Sequence, residues 1–161
     1  MRKKVYTKEE LSQIIKTYTP SLVRLAFTYT KNIPDAEDIV QEVMIKLITK
    51  KPKFENEIHE KAWLIRVTIH TSLNYIKATK RRGQIPLTYD IPEFEKDEYG
   101  LLEALEILPD KYKAVMYLYY YEGYSVRELS VILRRRESTL QTQLATGRKQ
   151  MKSLLESKGE C

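Results

Sequence analysis

At 161 residues, with Lys and Arg outnumbering Asp and Glu by 28 to 22, the chain is long enough for one domain or two small ones with real cores. Its one cysteine is the last residue, Cys161, and its two histidines are His59 and His70, which excludes an internal disulfide and a usual zinc site. The basic start MRKKVYTKEEL runs into acids with no apolar stretch behind it, and no apolar run approaches membrane-spanning length, so neither a signal peptide nor a membrane span is expected and the cytoplasm is the expected location.

Apolar spacing is helical almost everywhere, with no sustained strand-like alternation, so an all-α fold is expected. Thr7 and Glu10 read as a capping box for a helix beginning at Lys8. Pro20, with Thr19 as its N-cap, reads as the start of a second helix through about Tyr29. Asn32 and Pro34 punctuate again, and Ala36, Ile39, Val40, Val43 and Leu47 then fall on one face of a third helix. A loop, KKPKFENEIHEK, precedes a long helix from about Lys61 to Arg81. Residues 84–100, QIPLTYDIPEFEKDEYG, carry two prolines and five acids and read as a flexible acidic linker. Beyond it a short helix spans Leu101 to Leu108, and Pro109 opens another through Tyr121, with Gly123 placed to end it at positive φ. Ser125 and Glu128 form a second capping box for a helix through Leu133, and the last helix carries Leu140, Leu144, Gly147, Met151 and Leu154 at alternating steps of four and three. Two small helical domains on a tether result, with no internal repeat.

Charge follows the same division. The segments 1–83, 84–100 and 101–161 carry +8, −4 and +2, together the net +6. Basic ends suggest a polyanion partner, with ordinary solubility charge as the alternative. SVRELSVIL followed by ESTLQTQLATGRKQM has the dimensions of a helix-turn-helix, whose second helix presents its N-terminal residues to base edges in the major groove. Seating Leu140 and Leu144 in the core turns Ser138, Thr142, Ala145 and Lys149 outward, with Gln141 and Arg148 on one flank. A glutamine there can bond bidentately to adenine, and the two cations can contact phosphates. This reading requires Arg134, Arg135 and Arg136 to form the turn, where a glycine is the usual residue; a plain helical hairpin with a solvated face is the alternative.

In the long N-terminal helix, Arg66, His70, Asn74, Lys77 and Arg81 make one polar stripe with Trp63 at its start. Cations that hold a backbone beside a ring that stacks a base suit single-stranded or melting DNA; a solvated face and a core Trp are the alternative. DAEDIVQE places Asp35, Glu37, Asp38, Gln41 and Glu42 together in an otherwise basic domain. Dipole complementarity covers the first acids, whereas an acidic-amide patch opposite the DNA face suits a basic protein surface. No phosphate-binding glycine loop, nucleophile elbow or HExxH is present, so an enzyme is not expected.

Taken together, DAEDIVQEVMIKL, AWLIRVTIHTSLNYIKATKRR and LPDKYKAVMYLYYYEGYSVRELSVIL with TLQTQLATGRKQMK resemble the bacterial sigma-70 family of RNA polymerase sigma factors, extracytoplasmic-function (ECF) group. The resemblance implies a region 2 domain at 1–83, a linker at 84–100 and a region 4 helix-turn-helix at 101–157. It implies binding of core RNA polymerase through Asp35, Asp38, Gln41 and Glu42, where the clamp helices of the largest subunit are held. It implies minus-10 recognition and melting, with Phe54, Asn56 and His59 as loop candidates for capturing a flipped base and Trp63, Arg66, Asn74, Lys77 and Arg81 along the helix. Minus-35 recognition falls to Arg134, Arg135, Arg136, Ser138, Gln141, Thr142, Ala145, Arg148 and Lys149. The family usually has a Gly-hydrophobic-Ser turn, and Lys or Arg where this chain has Gln141 and Gln143. Arg134 must then adopt a glycine-favoured conformation, and the loss of a serine cap at Arg136 forfeits about 1 kcal/mol. An anti-sigma factor, often membrane-anchored, is the further implied partner, and a stress or envelope regulon the implied target. No cofactor, metal or small-molecule substrate is implied. A helix-turn-helix repressor or activator acting apart from polymerase is the competing reading.

Overall fold

In the computed structural model, which describes residues 6–83 and 98–157, Thr7 caps the first helix, α1 (Lys8–Thr30), its hydroxyl oxygen accepting from the Glu10 N–H at 3.0 Å. Pro20 lies inside α1 and opens no second helix. The ring removes one backbone donor and crowds the carbonyl four residues earlier, at a cost of about 3 kcal/mol. Packing outweighs that cost: Ile14 before the proline and Leu22, Leu25, Ala26, Phe27 and Tyr29 after it are all buried, at roughly 1.5–3 kcal/mol for each large side chain. Lys16 and Pro20 are exposed, so the unmatched carbonyl lies on the solvent side. Thr19, expected as a cap, has a buried hydroxyl with no hydrogen-bond partner.

Asn32 caps α2 (Ile33–Lys50), its side-chain oxygen accepting from the Asp35 N–H at 2.8 Å. The face predicted from spacing is the buried one: Ala36, Ile39, Val40, Val43 and Leu47, joined by Met44. The following loop ends sooner than its composition suggests. Asn56 accepts from the His59 N–H at 3.0 Å and starts α3 (Glu57–Arg81), so His59 belongs to the first turn of the helix. Glu57 and Glu60 in that turn favour the positive end of the helix dipole. The Tyr6 hydroxyl donates to the Pro52 carbonyl and ties the start of the chain to this loop. α1 packs on both α2 and α3, which also pack on each other.

The chain divides into two compact units, Met1–Leu87 and Thr88–Cys161. Most of the expected linker, residues 84–97, lies outside the described residues, and its last three residues are already helical. α4 spans Glu98–Glu106. α5 (Asp110–Met116) follows Pro109 and runs on as a π-helical segment, Tyr117–Tyr121, and Gly123 then turns the chain at φ +79°. α6 (Val126–Leu133) carries the complete capping box, Ser125 and Glu128 exchanging side-chain to backbone bonds of 3.1 and 3.0 Å. α7 spans Glu137–Ser157. Leu102, Leu105, Val115, Met116, Leu118, Leu129, Ile132, Leu140 and Leu144 form the core of this unit. Gly147 lets α7 approach α5, since a Cβ there would stand 2.8 Å from Met116 Sδ. Among the described residues there is no strand.

Candidate nucleic-acid interface

The segment between α6 and α7 is a turn. Arg134 adopts the left-handed conformation, φ 53° and ψ 48°, and its N–H donates to the Ser130 carbonyl. The same carbonyl accepts from the Arg135 N–H at 3.3 Å, and the Ser130 hydroxyl donates to the Arg135 carbonyl at 2.7 Å. Ser130 thus supplies the local bonding that holds an L-residue where glycine would be less strained, against a conformational cost of about 1–2 kcal/mol. The Leu140 N–H donates to the Arg136 carbonyl at 3.1 Å and sets the first turn of α7.

With Leu140, Leu144 and Gly147 buried, α7 exposes Ser138, Gln141, Thr142, Ala145, Arg148 and Lys149, and the turn exposes Arg134 and Arg136. The outward face expected of the helix, Ser138, Gln141, Thr142, Ala145, Arg148 and Lys149, is therefore assembled on α7. Two of its members, and Arg135 of the turn, are already engaged. The Thr142 hydroxyl donates to the Ser138 carbonyl at 3.0 Å, Arg148 Nη1 donates to the Tyr120 hydroxyl at 3.1 Å, and Arg135, half-buried, donates from Nη1 to Gln143 Oε1 at 3.1 Å. Such a face combines hydrogen-bonding side chains for base edges with cations for phosphates.

In the first unit, His70, Asn74, Lys77 and Arg81 are exposed along α3, with Arg66 and Trp63 half-buried at its start. Phe54 reaches Trp63 with ring centroids 6.0 Å apart and planes tilted by 58°, so the loop and the helix share one aromatic platform. Asn56 spends its side-chain oxygen on the helix cap. His59 Nδ1 lies 3.6 Å from Glu55 Oε2. The three loop candidates thus differ in kind: one ring in an aromatic pair, one cap and one imidazole on the helix.

On α2, Asp38, Gln41 and Glu42 are exposed, whereas Asp35 is half-buried. The Asp35 carboxylate accepts from Asn32 Nδ2 at 2.8 Å and from the Tyr75 hydroxyl on α3. Burial first, and then the Asp35 hydrogen bond and charge, push the Tyr75 hydroxyl up to about 12. Asp35 therefore latches α2 to α3. A groove of about 410 Å³ runs along that seam, where Asp38 and Glu42 face Asn74 and Tyr75. The sequence reading sets the acidic patch opposite the α3 stripe; in the structure Asp35, Asp38 and Glu42 share this groove with one member of the stripe, Asn74, because α2 and α3 pack on each other. A second groove of about 420 Å³, between α1 and α2, is lined by Ile15, Val23, Val40, Met44, Ile45 and Ile48, with Gln41 among its polar residues. Ile45 and Ile48 are 58% and 42% exposed. Their signal in the sequence is their position off the core face of α2.

Among the described residues, no group of three or more His, Cys, Asp and Glu side chains is placed to hold a metal ion, and no helix is long and apolar enough to cross a membrane.

The chain matches the family described as Sigma-70 region 2 over residues 14–82 and that described as Sigma-70, region 4 over residues 100–151. It is similar to the RNA polymerase sigma factor SigV of Bacillus subtilis (strain 168), 31% identical over 94% of this chain and 95% of that protein. To the ECF RNA polymerase sigma factor SigX of the same organism it is 27% identical, over 92% of this chain and 85% of that protein. Among solved structures, the sigma factor RpoE of Bartonella quintana, in complex with the anti-sigma factor NepR, superimposes with a TM-score of 0.75 over 92% of this chain and 98% of that chain. At 19% identity that likeness is one of fold. With both regions present in order and the SigV match running nearly end to end, the chain belongs to the sigma-70 family of RNA polymerase sigma factors, in its extracytoplasmic-function group.

Proposed function

We propose that residues 1–83 act as region 2 and residues 101–157 as region 4 of a sigma subunit that binds core RNA polymerase and directs it to promoters. The observation that carries this reading is the α7 face: Ser138, Gln141, Thr142, Ala145, Arg148 and Lys149 are all exposed behind a formed helix-turn-helix turn. In this reading α7 sits in the major groove of the minus-35 element. The Phe54–Trp63 platform and the α3 stripe take the melted minus-10 strand, by stacking and phosphate contacts. Binding energy opens the base pairs, and sigma factors are not enzymes. Asp38, Gln41 and Glu42 dock core polymerase, while Asp35 holds their helix in place through Tyr75.

The sigma factor RpoE, similar in fold, is in complex with a partner, the anti-sigma factor NepR. By likeness, an anti-sigma factor restrains this chain as well, and a membrane-anchored one would hold it at the inner face of the membrane. The cytoplasm is its place of action, and a stress or envelope regulon its target.

Gel filtration of the purified chain with core polymerase tests the first step. The reading predicts co-elution with core. Elution apart from core, together with tight binding to duplex DNA, would favour a helix-turn-helix regulator instead.

A further inference from the structure

From Glu137 to Gly147 the recognition helix carries one charged residue, Glu137, and it is acidic. The nearest cation further along α7 is Arg148, roughly 18 Å from Arg136 at the rise of an α-helix. That exceeds the screening length of about 8–10 Å in physiological salt. A helix seated in the major groove needs cations along its flanks to hold the phosphates and fix its register. For the first turns of α7 the cations nearest in sequence are those of the preceding turn.

Arg135 is the arginine of that turn whose position is fixed at both ends. Ser130 bonds its N–H and its carbonyl, and Gln143 Oε1 accepts from its guanidinium at 3.1 Å. This last bond carries the charge from the turn to a point beside residue 143, two turns into the helix. It uses one of five guanidinium donors. A neutral amide also leaves the charge intact, as a carboxylate in its place would not. We propose that Gln143 is a positioning residue for promoter binding, which holds Arg135 so that its guanidinium grips a DNA phosphate alongside the N-terminal half of α7.

The proposal rests on the reading of residues 101–157 as region 4, and its test separates the two. Holoenzyme is reconstituted from core polymerase and full-length chain, and its affinity is measured over a salt series on a genomic promoter fragment from which wild-type holoenzyme initiates. Arg135→Ala is expected to lower affinity roughly tenfold and to reduce the salt slope by about one. Gln143→Ala, which frees the guanidinium without removing it, is expected to lower affinity roughly threefold through lost preorganisation. The double variant should bind like Arg135→Ala. Arg135→Ala combined with Gln143→Arg should recover the slope, because a guanidinium again stands at the helix flank. Melting of the free chain should be unchanged for Gln143→Ala. Additive losses in the double variant, an unaltered slope for Arg135→Ala, or failure of the swapped pair to restore it would each overturn the proposal. Absence of any promoter-specific start by the wild-type holoenzyme would instead overturn the region 4 reading.

Discussion

Arg134 holds a left-handed conformation at φ 53°, which costs an L-residue about 1–2 kcal/mol, and it also brings a charge to the face proposed to meet DNA. Arg134→Gly should therefore separate the two effects. After the added unfolded-state entropy of glycine, the variant should gain about 0.5–1 kcal/mol in urea unfolding, while promoter affinity falls. A loss on both measurements would show that the turn is held by more than the Ser130 bonds. On the reading surface, Gln141→Ala should reduce discrimination at one upstream base pair by about 1–3 kcal/mol in promoter-variant transcription, with core titration unchanged. Asp38→Ala should do the reverse, weakening core binding about threefold, the scale of an exposed charge pair, with base preference intact. Tyr75 makes a pH prediction. Its folded value of about 12 lies above the unfolded value of about 10, so its contribution is full below about pH 10 and is lost as pH rises through about 12. Tyr6, pushed up to about 12 chiefly by burial, adds in the same sense. Alkaline unfolding curves of Tyr75→Phe should lack part of this decline; an unchanged curve would contradict the Asp35 latch.

Element boundaries followed the sequence wherever a cap and an apolar face agreed, as at Thr7, Asn32 and Ser125, and the face of α2 could be read residue by residue. Pro20 misled because a first-turn preference is a local signal, whereas the apolar residues on both sides of it serve one continuous buried face. α3 starts earlier than the polar run FENEIHE suggests; what decides it is the Asn56 cap. The Tyr75–Asp35 contact was not legible, since its partners lie 40 residues apart and meet only through the packing of α2 on α3. Arg135–Gln143 likewise depends on the direction in which the turn aims a long side chain. The close approach at Gly147 permits a test at this scale. Gly147→Ala gains about 1 kcal/mol of helix propensity, but its Cβ would meet the fully buried Met116 at 2.8 Å, and overpacking of that kind costs about 1–3 kcal/mol. Urea unfolding should show a net loss of about 1 kcal/mol; a net gain would mean that Met116 yields freely.

For the whole molecule, two helical units with basic character at both ends and an acidic segment between them suit one extended anionic ligand, and the family supplies it in the promoter. In the proposed reading, Asp38 and Glu42 for polymerase docking and Asn74 of the α3 stripe line one α2–α3 groove, so loading onto core and opening of DNA would both fall to the first unit. Sequence selection at the upstream element would fall, in the same reading, to α7 in the other unit. Run-off transcription with purified core polymerase and genomic fragments tests this division most directly. Adding the chain should yield discrete, promoter-specific transcripts that core alone does not make; transcripts identical to those of core alone would contradict the account.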